Sequence, residues 1–162
     1  MHSTYLNIIF LIVLVATSGV YSLSVNGTLA DRQTNALNSD GRVYFYRYKQ
    51  FIGYRVKPSV YCDESQLARI ENGRFFITKV APGKHTFRSN DKQSGLELDI
   101  QAGHTYYIRV EIVDGFLKQY GRLVLMSNEQ GAYEISKLKP LSAASIKDRT
   151  RVTVDETSSK PR

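Results

Sequence analysis

The chain of 162 residues has no tryptophan and only one cysteine, Cys62. A single cysteine excludes a disulfide-stapled scaffold, because no intrachain bridge can form. No apolar run is long enough to span a bilayer: the longest stretch, residues 8–16 (IIFLIVLVA), has nine residues where about 20 are needed. There is no Cys-x-x-Cys or His-x-x-x-His spacing, no Gly-x-Ser-x-Gly elbow and no glycine-rich phosphate loop. Metal, serine-nucleophile and nucleotide signatures are therefore missing from the linear sequence. Acidic residues are also the minority, 15 Asp and Glu against 22 Lys and Arg, which leaves a net charge of +7. That balance argues against an acidic disordered chain.

What is present begins with an export signal. Residues 8–16, followed by small and polar residues to Ser22, have the form of a signal-peptide core, with cleavage sites after Ser18 or Ser22. The segment before it carries no Lys or Arg, so an uncleaved anchor or a misplaced start is the competing reading. No cysteine lies near either cleavage site, so lipid attachment is not expected and the product is periplasmic or extracellular. Residues 23–40 are polar and read as a linker. Residues 141–162 are polar and charged and are expected to be a disordered tail. Residues 41–140 remain as the folded domain.

Within the domain the hydrophobic period is two. Val43, Phe45 and Arg47 alternate with Tyr44, Tyr46 and Tyr48; Leu96, Leu98 and Ile100 alternate with Glu97 and Asp99; Tyr106, Ile108, Val110 and Ile112 alternate with Tyr107, Arg109 and Glu111. Eleven tyrosines and seven phenylalanines suit such strands. Asn72-Gly73 predicts a tight hairpin between the segments on either side of it. Pro82-Gly83, Ala102-Gly103 and Asp114-Gly115 punctuate the other strands. The expected fold is all-β, an antiparallel β-sandwich of seven or eight short strands. One short C-terminal segment, residues 128–139, has the period of a helix in Ala132, Ile135 and Leu138 and that of a strand in Tyr133 and Ile135. If it is a helix, Asn128 could cap it and Glu129 suits its positive end, while Gly131 costs about 1 kcal/mol relative to alanine.

The order of elements is familiar. Gly41-Arg42-Val43-Tyr44-Phe45-Tyr46-Arg47, Val60-Tyr61-Cys62-Asp63, Leu67-Ala68-Arg69-Ile70, Val80-Ala81-Pro82-Gly83-Lys84-His85 and Ala102-Gly103-His104-Thr105-Tyr106-Tyr107 occur in that sequence. Together they resemble the family called domain of unknown function 2846, small β-domains of exported bacterial proteins similar to carboxypeptidase-regulatory and prealbumin-like sandwiches. The resemblance covers about 100 residues and implies an accessory or interaction module with no assigned reaction. Many relatives look like lipoproteins, whereas this chain lacks the cysteine that lipid attachment needs, so outer-membrane tethering is not expected. The family's usual Asp-Gly after the second strand is here Asp63-Glu64-Ser65, which implies a looser turn.

Chemistry is hard to find in the linear order. His85 and His104, the histidines beyond the signal, follow turns and read as strand-start residues. Cys62 reads as a buried, inert thiol, since no histidine or helix N-terminus adjoins it locally. No cofactor, metal or catalytic residue is expected, and the protein is read as a noncatalytic extracytoplasmic binding or accessory module. Its ligand-facing candidates are Tyr44, Tyr46, Arg47 and Tyr48: with Val43 and Phe45 inward, the tyrosines would form an outer platform for a glycan or peptide. The competing reading is that residues 128–139 lie over that face through Ile135 and Leu138. Residues 41–140 hold sixteen basic against ten acidic residues, net +6. The expected partners are an envelope protein or an anionic surface polymer or glycan, and not nucleic acid. The alternative function is a small secreted hydrolase, which needs His85 or His104 beside a carboxylate, or an enzyme inhibitor, which needs a rigid exposed loop such as residues 50–58.

Overall fold

A computed structural model of the chain describes residues 39–90, 95–115 and 119–154. The expected signal peptide, almost all of the linker and the last eight residues lie outside them. The strands are β1 (Gly41–Tyr46), β2 (Ser59–Cys62), β3 (Ser65–Arg69), β4 (Arg74–Val80), β5 (Gly83–Arg88), β6 (Gly95–Ile100), β7 (Thr105–Asp114) and β8 (Gln119–Met126). A helix α1 (Asn128–Ile135) follows, then two-residue strands β9 (Lys139–Pro140) and β10 (Val152–Thr153). One sheet has the order β10-β4-β1-β7-β8, with β9 also on β4; the other has the order β3-β2-β5-β6.

The two sheets face each other across one core. Val43, Phe45, Phe76, Ile108 and Val110 of the first sheet meet Val60, Cys62, Leu67, Phe87 and Ile100 of the second. The Phe45 ring lies 5.2 Å from Phe76 and 5.6 Å from Phe87, so it bridges the layers. The expected sandwich is present, with a correction to its pairing. The first sheet is mixed, because β1 runs parallel to β7 and β9 parallel to β4. The Asn72-Gly73 turn is a second correction. It does not close a hairpin: β3 pairs with β2 in one sheet and β4 with β1 in the other. Gly73 takes φ +70°, as expected of its type, but Asn72 does not join it at positive φ. The turn carries the chain between layers.

Within residues 128–139, Asn128–Ile135 form the helix α1, which lies with the turn after it on the outer face of the first sheet, before Lys139 enters β9. Ser127, not Asn128, caps α1, accepting from the Gln130 amide at 3.3 Å, and Glu129 occupies the first turn. Ile135 and Leu138 pack against Tyr46, Phe75 and Ile77, and Tyr44, Tyr107 and Met126 join the same second apolar cluster on the far side of the sheet. Gly131 is explained by this contact. A Cβ there would stand 2.3 Å from the Cβ and Cγ of Tyr107, so only glycine lets the helix approach so closely.

The segment expected to be a tail is largely structural. Leu141 and Val152 are buried, and the Leu141 amide donates to the Phe75 carbonyl at 2.7 Å. The chain then crosses to the other sheet, where the amides of Lys147 and Asp148 donate to the Leu67 carbonyl at 2.9 and 3.0 Å. It returns to β4 as β10, pairing Val152 with Thr78. Two buried side chains and backbone pairing suffice to order a polar strap, and it covers edges of both sheets that would otherwise be open to strand addition. The domain therefore runs to at least Val154. Among the described residues no helix is long and apolar enough to cross a membrane.

Candidate functional site

Beyond Tyr46 the chain leaves the first sheet and reaches the second at Ser59, and this crossover carries the most exposed large apolar side chains among the described residues. Its shape is fixed from inside by Arg47, which is fully buried. One guanidinium nitrogen donates to the Gly53 carbonyl at 2.8 Å and another to the Val56 carbonyl, while Nε has no hydrogen-bond partner. Burial pulls the Arg47 pKa below its ordinary value, yet an arginine in a protein stays charged. A buried cation met mainly by carbonyl dipoles is costly, so its partners are strongly held to it. Asn72 clamps the loop from the neighbouring turn. Its Oδ1 accepts from the Gln50 amide at 2.9 Å and its Nδ2 donates to the Gln50 carbonyl at 2.8 Å. Gly53 turns the chain at φ +70°, and the Val56 amide closes the turn onto the Gly53 carbonyl at 2.9 Å.

The loop held in this way displays apolar side chains outward. Phe51 is 89% exposed and Ile52 73%, with Tyr54 about half exposed. Phe51 and Tyr54 stack at 6.1 Å, and Arg55 lies over Tyr54, donating from Nε to its hydroxyl at 2.8 Å. A shallow apolar depression of about 410 Å³ lies among Lys49, Gln50, Phe51, Tyr54 and Asn72. Residues 47–58 contain four cations and no acid. Lys57 is paired with Glu71 at 3.0 Å, whereas Lys49 and Arg55 are exposed.

A second constellation sits where β2 turns into β3 beside β5. Cys62 pairs across from Phe87, and His85, two residues earlier on β5, shares the inward face with Phe87. His85 Nδ1 is 2.8 Å from Asp63 Oδ2 and 4.0 Å from Cys62 Sγ, and Sγ is 3.6 Å from the same carboxylate oxygen. His85 Nε2 faces the Ala81 carbonyl at 3.0 Å, and Asp63 Oδ1 accepts from the Thr86 amide at 3.0 Å. Asp63 itself stands at φ +54° in the turn. Burial pushes the Cys62 thiol up to about 11, with Arg151 opposing the shift, so it is a thiol at neutral pH and a weak nucleophile. Desolvation raises the Asp63 carboxyl, but the Thr86 amide and His85 outweigh it and hold it below its ordinary value. His104 is exposed in its turn.

The profile of the family described as "Protein of unknown function (DUF2846)" matches residues 37–121, just over half of the chain. The chain belongs to the DUF2846 family. An uncharacterized protein of Haemophilus influenzae is 30% identical over 98 residues, 59% of this chain and 58% of the relative, so the match spans less than two thirds of that relative's length. No solved structure matches significantly.

The four expected ligand-facing residues of this DUF2846 domain do not form an open platform. Tyr46 and Arg47 are fully buried; Tyr44 is half-buried and stacked on Tyr107 at 5.0 Å; Tyr48 is half-buried against Arg109 at 5.5 Å. For the tyrosine face the cause is α1, which brings Glu134 down onto the sheet, whereas Arg47 is buried under its own loop. Glu134 accepts from the Tyr46 hydroxyl at 2.5 Å and from Gln130 at 2.8 Å, with Arg109 at 3.4 Å. Desolvation raises the Glu134 carboxyl, but these hydrogen bonds and the Arg109 charge keep it below the ordinary carboxylate range. Burial, with Glu134 adding to it, drives the Tyr46 hydroxyl well above its ordinary value. Arg47 thus acts from beneath the loop. Sequence reading marked residues 50–58 as a candidate exposed loop, and that loop is exposed, but Phe51 and Ile52 were not singled out in it, although an apolar pair beside Gly53 in a cationic, turn-rich stretch was the available signal. It also judged Cys62 and His85 isolated, whereas the β2–β5 pairing brings them together.

Proposed function

We propose that this DUF2846 protein is a noncatalytic module exported from the cytoplasm, which docks on the anionic surface of the envelope through residues 49–57. The supporting observation is a preformed loop that exposes Phe51 and Ile52 and is flanked by exposed Lys49 and Arg55. Two adjacent large apolar side chains held in solvent by buried hydrogen bonds have no purpose in the domain's own core. Their combination with cations suits a boundary that is apolar within and anionic at its surface. Burying each apolar side chain contributes about 1.5–3 kcal/mol and each nearby cation about 1 kcal/mol, a scale that gives reversible attachment. Export rests on the signal-like run at residues 8–16.

Vesicle flotation tests the reading. The full chain is expected to float with phosphatidylglycerol-containing vesicles at low salt, less with phosphatidylcholine vesicles, and to be released by high salt. Phe51→Ser with Ile52→Ser is expected to abolish flotation without lowering the melting temperature. Equal flotation of this double variant and the wild type, or no flotation of either, refutes the proposal.

A further inference from the structure

Cys62, Asp63 and His85 place a thiol sulfur, a carboxylate oxygen and an imidazole nitrogen at mutual distances of 2.8, 3.6 and 4.0 Å. Around a tetrahedral zinc ion, with bonds of about 2.0 Å to nitrogen or oxygen and about 2.3 Å to sulfur, adjacent ligand atoms stand roughly 3.3–3.5 Å apart. The observed separations straddle that value, and about half an ångström of side-chain movement reaches it. We propose that these three residues form a site for one divalent cation of zinc-like softness, joining the β2–β3 turn to β5.

The surrounding hydrogen bonds favour this assignment. His85 Nε2 is 3.0 Å from the Ala81 carbonyl, which fixes the ring and, by accepting the Nε2 proton, leaves the Nδ1 lone pair toward the cluster. That arrangement is the usual outer support of a metal-bound histidine. The second carboxylate oxygen of Asp63 is held by the Thr86 amide at 3.0 Å, so the first is free to coordinate. In that ring state the Nδ1 lone pair and a carboxylate oxygen face each other at 2.8 Å, and a cation between them, either a proton or a metal ion, reconciles the two. The thiolate, imidazole and carboxylate set matches zinc better than calcium or magnesium, which take oxygen ligands. The Asp63 side chain is 49% exposed, which opens a path to the otherwise buried sulfur, and water completes the fourth position. The site is independent of the docking loop and does not rest on that reading.

The test uses the full chain, freed of metal with a chelator and titrated with zinc chloride by calorimetry, then with cobalt chloride by absorption. Binding of one equivalent, a higher melting temperature and a thiolate-to-cobalt charge-transfer band are expected. His85→Gln and Asp63→Asn, near-isosteric changes at partly exposed positions, are expected to weaken zinc binding by at least about 10-fold. Cys62→Ser is expected to remove the charge-transfer band. Absence of saturable one-equivalent binding, undiminished affinity in His85→Gln and Asp63→Asn, or a cobalt complex lacking the thiolate band overturns the site.

Discussion

Substituting Gly131 by alanine tests how α1 meets the sheet. On an exposed helix the change would stabilise by about 1 kcal/mol, because glycine is a poor helix former. Here the new methyl would stand 2.3 Å from Tyr107 Cβ and Cγ and 2.7 Å from Cδ1. Tyr107 cannot easily retreat, since its other face stacks on Tyr44 at 5.0 Å. Overpacking of this kind costs about 1–3 kcal/mol, and here the backbone of a capped helix must shift as well. The upper part of that range exceeds the propensity gain, so a net loss of about 1–2 kcal/mol is expected, a fall of several degrees in melting temperature. Urea denaturation of the wild type, Gly131→Ala, Tyr107→Ala and the double variant forms a cycle. In the Tyr107→Ala background the clash is gone and Gly131→Ala should become neutral or stabilising. A Gly131→Ala variant more stable than the wild type with Tyr107 present refutes the packing, and with it the conclusion that the tyrosine face is covered.

Removal of the strap is expected to be severe: a chain ending at Pro140 loses the burial of Leu141 and Val152 and opens the β4 edge, and gel filtration should find it aggregated, while Leu141→Ala alone should cost about 2–5 kcal/mol by chemical denaturation. Arg47→Met should leave the Val56 carbonyl without its side-chain donor and the Gly53 carbonyl with the Val56 amide alone, and limited proteolysis should then cut residues 50–58 faster than in the wild type. Acid should destabilise the protein. The carboxyls of Glu71, Glu111 and Glu134 lie below their unfolded values, so their contribution is complete above the unfolded pKa near 4.3 and is lost as pH falls through the folded values. Glu134→Gln should flatten the acid side of a stability–pH curve, and an unchanged curve would contradict the Glu134 assignment.

How far the sequence carried the structure follows from the range of each interaction. Strands β1, β6 and β7 were legible because alternation is local, and the glycines at 73, 83 and 103 adopt the positive φ their turns require. Sheet membership was not legible. Asn72-Gly73 specifies a reversal but not whether the next strand returns to the same sheet, and the partner of β4 proved to be β1, some thirty residues earlier in the chain. Gly131 misled for a physical reason: its propensity cost is local and its compensation lies on Tyr107. The strap resembled a disordered tail because only a few apolar residues hold it. The face of Tyr44, Tyr46 and Tyr48 admitted both exposure and a covering segment, and the choice depended on where Ile135, Leu138 and Glu134 landed. The exposure of Phe51 and Ile52 depends on Arg47 and Asn72 holding carbonyls and amides that no local pattern assigns to them.

The natural absence of tryptophan supplies the most direct test of the docking loop. Phe51→Trp places a single indole at its tip, and Tyr133→Trp places one on α1, where Tyr133 is 63% exposed. On mixing the full chain with phosphatidylglycerol vesicles, the indole at position 51 should shift its emission to the blue as it leaves water, and the one at position 133 should not. An unshifted spectrum from position 51, or an equal shift from position 133, would contradict attachment through this loop.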